Sequence, residues 1–278
     1  MQKNTPSPKP IRLTRRGRLV LFTTATVVAA TAVAVLLILY SAGESRTFSL
    51  VIPEGRRAAQ VYEAIDKALG LAPGATKKSL SKAHLKLPAE ALGNPEGYLF
   101  PATYPIHEKA TPESVLEYMV DTANKKFSGG TITAGAQRNA MSVYQTVTVA
   151  SIVQSEAATK ADMGRVARVI FNRLERGMPL QMDSTLNYAM NRSTLNTTMT
   201  DTKIDSPYNS YQRMGLPPTP IANPGQDAMR ASINPTPGDW LYFVTVKPGD
   251  TRFTASYDEQ RRNVEEFNRS RGSNSSSH

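Results

Sequence analysis

A glutamate beside an apolar helical stripe is the side chain in this sequence best suited to acid–base chemistry. The stripe is formed by Val143, Val147, Ala150 and Val153. Glu156 follows three residues after its last member. A carboxyl group held against apolar surface resists ionisation, so its pKa rises toward the range that a general acid needs. The alternative is a surface glutamate paired with Lys160 one helical turn later, and spacing alone favours this alternative.

Loops downstream of Glu156 are rich in amides, one carboxylate and aromatic rings. They contain Gln181, Asp183, Asn187, Tyr208, Asn209, Tyr211 and Asn223. Planar amides and carboxylates hydrogen-bond sugar hydroxyls, and aromatic faces cover the apolar side of a sugar ring; loops are also common homes of binding residues. Turn formation by itself favours Asn as well, so a purely structural role stays open.

Several other chemistries are poorly supported. The chain has no cysteine, which excludes disulfides and thiolate chemistry. His84, His107 and His278 lie far apart and show no metal-ligand spacing, so we expect no metal site and no cofactor. No GxSxG motif supports a serine nucleophile, and no phosphate-binding glycine motif supports nucleotide chemistry.

The net charge of +10 belongs mainly to the N-terminal tail rather than to a nucleic-acid-binding surface. Six basic residues lie in residues 1–18, before the first acidic residue, Glu44, and they leave +4 for the rest. A run without charges follows from Leu19 to Tyr40, long enough to span a hydrocarbon core. We therefore predict a cytoplasmic tail over 1–18 and a transmembrane helix over 19–41.

The charges beside this predicted anchor indicate on which side of the membrane the rest of the chain lies. Arginines on its N-terminal side place the N-terminus in the cytoplasm and the following residues outside, as a single-pass protein of the cytoplasmic membrane. A cleaved signal peptide is the alternative, since Ser41, Ala42 and Gly43 are small, but the apolar run is long for one.

The exported part predicts an α+β fold. Strands are expected at Phe48–Ile52 and, as a central strand, at Trp240–Val246. Helices are expected over 57–69, 75–86 and 111–128, in the 141–178 region as two helices, and over 257–269. The aromatics of the extended segment 97–106, Tyr98, Phe100 and Tyr104, suit either packing on the core or a platform for a sugar.

Seven segments, in order, resemble the endolytic murein transglycosylases of the MltG/YceG-like family. They are IPEG (52–55), EGYLFPATY (96–104), VASIVQSEA (149–157), VIFNRLERGMPLQMDST (169–185), SPYNSY (206–211), GLPPTPIANPG (215–225) and WLYFV (240–244). The resemblance implies a small LysM-like module with its connecting strand over 46–106 and a mixed α/β catalytic domain over 107–270. The Ser-rich end, 271–278, is expected to be disordered.

The same resemblance implies a lyase that cuts the MurNAc–GlcNAc β-1,4 bond within peptidoglycan and leaves 1,6-anhydro-MurNAc. The family's catalytic glutamate corresponds to Glu156, which reverses the preference drawn from spacing. We assign substrate orientation to Gln181, Asp183, Asn209, Tyr211 and Asn223, with Asp183 as electrostatic stabiliser. Expected partners are glycan strands and cell-wall synthases or divisome and elongation proteins, but not nucleic acid.

Three departures from the family pattern stand out. Many members have a second glutamate at the position of Gln154, so that position is not expected to be the essential acid. Members often have proline where this chain has Ser184, so we expect a less rigid turn after Asp183. A histidine is common at the position of Gln260, which puts a role for that position in doubt. Asn172 and Arg173 are equally compatible with site and buried structural roles.

Two other functions stay open. A hydrolytic muramidase on the same scaffold would differ in its products. A peptidoglycan-binding scaffold would hold glycan without cutting it, although Glu156 and the surrounding loops argue against it.

Overall fold

Two short strands lie on either side, in sequence, of the first helices in the described part of the chain. A computed structural model describes residues 31, 33, 47–194 and 197–275. Strand β1 (Thr47–Val51) pairs with β2 (Thr103–His107) in a two-stranded sheet. Helices α1 (Ala58–Ala68) and α2 (Ala75–Ser79) and a 3₁₀ turn (Ala89–Ala91) lie between them in sequence. These bounds confirm the predicted strand and both helices to within a few residues, except that α2 is shorter.

The segment after Glu96 is only partly extended. Tyr98, Phe100 and Tyr104 are 3%, 7% and 2% exposed, which confirms that they pack on the core rather than face a ligand. Gly97 adopts a left-handed φ of 86°, and a Cβ there would lie 2.5 Å from Pro220. Only glycine allows this close approach, which brings the EGYLFP segment against the loop that contains Pro220.

The central helices follow from their caps and from their apolar composition. Helices α3 (Pro112–Phe127), α4 (Gly130–Arg138), α5 (Val143–Glu156) and α6 (Met163–Glu175) follow in order. Thr111 and Ser142 cap α3 and α5 with reciprocal capping boxes. Helix α5 is buried on all sides from Thr146 to Val153, where it packs against α6 and α8 (Gln226–Ile233). The hydroxyls of its buried Thr146 and Thr148 donate to backbone carbonyl oxygens one turn earlier.

The C-terminal part contains short helices and a hairpin. Helix α7 (Asp183–Ala189) and a 3₁₀ turn (Asp201–Lys203) precede α8, and β3 (Tyr242–Lys247) and β4 (Asp250–Thr254) pair antiparallel. Helix α9 (Tyr257–Ser275) packs on β3. The prediction of a central strand at 240–246 is wrong, because β3 has β4 as its single strand partner in the described part of the chain. Its apolar residues are covered instead by aromatic packing, as in the stacked Phe243–Phe253 pair.

The mixture of helices and small sheets confirms the α+β class. Helix α9 continues past the predicted end at Arg269, so the predicted disordered tail over 271–278 overlaps it as far as Ser275. Residues 276–278 lie outside the described residues, as does nearly all of the predicted span over 19–41. No helix within the described residues is both long and apolar enough to cross a membrane. The described residues from Phe48 onward form one compact unit, and the predicted boundary at residue 106 stays a prediction.

Candidate active site

Glu156 is the last residue of the buried helix α5. The backbone becomes extended at Ala157, whose N–H still bonds to the Val153 carbonyl oxygen at 3.0 Å. Val153 is fully buried and Glu156 is half-buried, so the carboxyl group emerges where the apolar helix ends. The geometry gives this carboxyl two properties that are hard to combine, a dry environment and access from outside.

The surroundings of Glu156 favour its protonated form. Burial raises the pKa of this carboxyl above its ordinary value, and the negative charge of Asp183 raises it further. Ser184 acts in the opposite direction, because its backbone N–H donates to Glu156 Oε1 at 2.9 Å. Burial is the largest of these effects, so the group is suited to donate a proton.

Asp183 and Tyr211 form a pair beside this carboxyl. Asp183 is the first residue of α7, and it accepts a hydrogen bond from the Tyr211 hydroxyl at Oδ1, 2.5 Å away. Burial raises the pKa of Tyr211, and its bond to Asp183 and the charge of Glu156 raise it further. Tyr211 therefore stays a hydrogen-bond donor, and two carboxyl groups with different environments lie close together.

Gln181 stands at the edge of the site. It is exposed, it has a left-handed φ of 53°, and its Oε1 accepts from Arg173 Nη1 at 3.1 Å. The Arg173 side chain also donates to the carbonyl oxygens of Pro179 and Leu180, which holds the loop before Asp183. Together with Asn172, which donates to the carbonyl oxygens of Gly238 and Trp240, these bonds confirm the buried structural alternative for residues 172 and 173.

Asn209 lies in the interior of the loop that carries Tyr211. It is 1% exposed, and its amide donates to the carbonyl oxygens of Thr202 and Ile204. Its Oδ1 accepts from the backbone N–H of Tyr211 at 3.0 Å. In this structure Asn209 orients Tyr211, and direct contact with substrate stays a prediction.

Asn223 is also surrounded by protein. It is completely buried, its Oδ1 accepts from Leu99 N at 2.8 Å, and its Nδ2 donates to Arg56 O and Glu96 Oε1. It joins the turn after β1 to the EGYLFP segment. The structure therefore brings Glu156, Asp183 and Tyr211 together, with Gln181 nearby. Asn223 is buried and is bonded to other parts of the protein.

Gln154 and Gly225 bring the loop before α8 against the end of α5. Gln154 Oε1 accepts from the backbone N–H of Gly225 at 3.0 Å. A Cβ at Gly225 would overlap the Glu54 carboxyl group. The Gln154 amide can accept this hydrogen bond without adding a charge, and the absence of a side chain at Gly225 leaves room for Glu54. The IPEG turn and the ANPG loop can therefore meet beside the site.

The sequence reasoning missed a buried carboxyl in Glu96. It is 3% exposed, and it accepts hydrogen bonds from Ala58 N at 2.9 Å, Asn223 Nδ2 at 3.2 Å and the Tyr188 hydroxyl at 3.2 Å. Burial raises its pKa to about 7, which its hydrogen bonds and the nearby Arg57 only partly oppose. The available signal for its burial was its position directly before the GYLFP segment, although the composition of the sequence there indicates only a turn.

Glu96→Gln is expected to remove part of the pH dependence of stability. In the wild type, the contribution of Glu96 to the free energy of unfolding is fully present below pH 4.5, where the side chain is protonated in both states. It is lost as the pH rises to about 7, because the unfolded chain releases this proton before the folded chain does. A shift of this size corresponds to about 3 kcal/mol. Thermal unfolding of the full chain in detergent, measured at pH 5 and pH 7.5, should show a smaller difference in Tm for the variant. Equal differences in both proteins would contradict the prediction.

A cavity of about 350 Å³ opens beside Ser155 and Ser184, the neighbours of Glu156. Its other polar lining residues include Arg57, Gln60, Gln154 and Asn187. The Arg57 guanidinium is held by the carbonyl oxygens of Asn187 and Arg192. A cavity of about 520 Å³ is lined by residues such as Tyr98, Tyr144 and Lys86, near the end of α5 that is opposite to Glu156. We therefore place the site at the smaller cavity.

Comparisons with known proteins identify the family of this chain. Residues 26–266 match the YceG-like family. The chain is 38% identical over 173 residues to the endolytic murein transglycosylase of Bacillus subtilis, and 40% identical over 177 residues to that of Streptococcus pneumoniae strain D39. Each match covers 62% of this chain, but only 48% and 32% of those relatives, so the chain spans about half the length of one and a third of the other.

A solved structure is similar over most of its length. A YceG-like protein from Listeria monocytogenes superimposes with a TM-score of 0.68 at 30% sequence identity. The match covers 78% of this chain and 75% of that one. With the family match extending over most of the sequence, this chain belongs to the YceG-like family.

Proposed function

We propose that this protein is an endolytic lytic transglycosylase, which cleaves the MurNAc–GlcNAc β-1,4 bond within peptidoglycan strands and forms 1,6-anhydro-MurNAc. The observation that carries the proposal is the Glu156 carboxyl group, which has a raised pKa, lies next to Asp183 and is hydrogen-bonded by Ser184, a residue that lines a polar cavity. The names of the B. subtilis and S. pneumoniae relatives support the reaction class.

The first step uses Glu156 as an acid. Its proton passes to the glycosidic oxygen while the bond to the anomeric carbon breaks, which leaves an oxocarbenium-like MurNAc. The raised pKa keeps this proton available at a pH where an ordinary glutamate has lost it. Asp183, held by the Tyr211 hydroxyl, supplies a negative charge that stabilises the developing positive charge.

The second step uses the same group as a base. The Glu156 carboxylate removes the proton of the C6 hydroxyl of the same sugar, and that oxygen attacks the anomeric carbon. The nucleophile is part of the substrate, so no second carboxylate has to activate water, as it would in a hydrolase. Glu156 is protonated again at the end of the cycle.

The polar lining of the cavity supports a glycan as the substrate. Amide and hydroxyl groups from both sides of the cavity are of the type that binds sugar hydroxyls. Among the predicted binding residues, Asp183 and Tyr211 lie at the reacting carboxyl and Gln181 is exposed at the rim. We assign Asn209 and Asn223 an indirect part, through the loops that they hold.

The exported N-terminal segment supports a glycan-binding module. The order β1–α1–α2–β2, with the two strands paired, fits the LysM-like module predicted over 46–106. The basic tail and the charge-free run over 19–41 support a single-pass anchor in the cytoplasmic membrane. An enzyme in this location would meet nascent strands, and we propose that it ends their elongation alongside cell-wall synthases or divisome and elongation proteins.

The test is the chemistry of the released ends. The full chain in detergent would be incubated with uncrosslinked glycan strands and, separately, with lipid-linked nascent strands, and the fragments analysed by mass spectrometry. Anhydro-MurNAc ends are expected. Reducing MurNAc ends would instead show a hydrolase, for which the adjacent carboxylate of Asp183 is the first candidate base. Binding without cleavage of either substrate would favour the scaffold.

A further inference from the structure

Ser184 contacts the catalytic carboxyl through its backbone. It is the second residue of α7, directly after Asp183, and its N–H donates to Glu156 Oε1 at 2.9 Å. This bond fixes one oxygen of the carboxyl group, and Ser184 itself lines the smaller cavity. The sequence predicted a looser turn at this point, whereas the structure has the first turn of a helix.

The hydroxyl of Ser184 has an unusual environment. Its Oγ is buried and has no hydrogen-bond partner among the described residues. Buried hydroxyl groups nearly always have a hydrogen-bond partner, so a buried hydroxyl without one, next to the Glu156 carboxyl, requires an explanation. The hydroxyl lies beside the Glu156 carboxyl, on which it acts to favour the ionised form. Reorientation of the Ser184 side chain would let this hydroxyl donate a second hydrogen bond to that carboxyl once it is charged.

We propose that Ser184 is a positioning residue that holds the Glu156 carboxylate with two donors, its N–H throughout the cycle and its Oγ–H after the proton has left. The inference rests on the proposed function, in which Glu156 alternates between acid and base. While Glu156 is protonated, the second donor has no charge to bind. After proton transfer, it stabilises the carboxylate and orients it for the C6 hydroxyl.

Two effects of Ser184→Ala follow. The variant keeps the N–H and loses only the hydroxyl, so the ionised form of Glu156 loses stabilisation and its pKa rises further. The loss of activity at high pH should move upward by about one pH unit, the effect of one hydrogen bond to a charged group. At the pH optimum, kcat should fall roughly threefold to tenfold with KM unchanged, because the base step is affected and strand binding is not.

The experiment combines two independent readouts on the full chain in detergent. Carboxyl ¹³C NMR titration follows the ionisation of Glu156 directly, with Glu156→Gln identifying its resonance. The pH profile of kcat/KM follows it through activity. Ser184→Thr retains both donors and should titrate like the wild type, whereas Ser184→Cys, nearly the same shape with a weaker donor, should fall between the wild type and alanine.

The outcomes separate this inference from the proposed function. Upward shifts in alanine and, to a smaller degree, in cysteine support the role of the hydroxyl. Identical titrations in wild type, alanine and cysteine overturn it, even if strands are cleaved as expected. A wild type that cuts no strand overturns the proposed function, and the NMR titration still decides whether Ser184 controls the carboxyl group. If the alanine variant does not fold, the comparison of cysteine with threonine decides the question.

Discussion

Glu156→Gln is expected to lower strand cleavage by at least about 1,000-fold while leaving the fold intact. The amide has the shape of the carboxyl group but has no proton to donate and no charge to accept one. General acid–base catalysis contributes roughly 100- to 10,000-fold per positioned group, and here a single group serves both steps. The measurement is the rate of anhydro-MurNAc formation from uncrosslinked strands.

The same variant should be at least as stable as the wild type near neutral pH. Burial raises the pKa of Glu156 in the folded state, so the wild type loses stability as the pH rises through that pKa, and the amide does not. Glu175→Gln is the matched control, since Glu175 also ends a helix but is exposed. Activity within tenfold of wild type in Glu156→Gln would remove Glu156 from the mechanism, and a large drop in Tm would make the loss of activity uninformative.

Asp183→Asn is expected to reduce kcat/KM by roughly 100-fold and to change its pH dependence. The lost negative charge no longer stabilises the oxocarbenium-like state, an electrostatic contribution of the size that single preorganised groups supply. Asp183 also raises the pKa of Glu156, so its neutralisation lowers that pKa, and activity should disappear at a lower pH than in the wild type. The measurement is the pH profile of kcat/KM.

The direction of this shift is the informative result. It is opposite to the shift expected for Ser184→Ala, although the two residues are adjacent and both variants impair activity. Tyr211→Phe provides the control, because it removes the hydrogen bond at Asp183 Oδ1 and keeps the negative charge. The kcat/KM of Tyr211→Phe should fall, but its activity should be lost at a higher pH than that of Asp183→Asn. An upward shift in Asp183→Asn would contradict the assigned electrostatics.

The helices and the family could be predicted from the sequence because their signals are local. The apolar stripe of α5 and the capping residue Ser142 determine where that helix lies, and Glu156 then has to follow the stripe. The short segments that resemble the family predict Glu156 as the catalytic glutamate, whereas spacing alone does not distinguish it from a surface residue.

The predicted substrate residues illustrate the limit of this reasoning. Asn209, Asn223 and Tyr211 all stand in polar loops, and an amide can satisfy a sugar hydroxyl or a backbone carbonyl equally well. Only the packing of the chain shows that Asn209 and Asn223 are buried against backbone groups, while Tyr211 reaches Asp183. The prediction of a central strand at 240–246 was wrong for a related reason. The apolar content of a segment does not reveal how many neighbouring strands it will pair with.

The sequence by itself determined the family and the longer helices, but it missed the helices at Gly130–Arg138, Asp183–Ala189 and Gln226–Ile233. It also predicted Glu156 as the catalytic glutamate. The tertiary structure decided the environment of that glutamate: the burial that raises its pKa, the Asp183 charge beside it and the backbone N–H of Ser184 that donates to it. It also revealed Glu96 as a buried carboxyl that connects α1, α7 and the loop before α8. The physical reason is that a pKa depends on desolvation and on charges within a few ångströms, and these neighbours come from residues far apart in the chain.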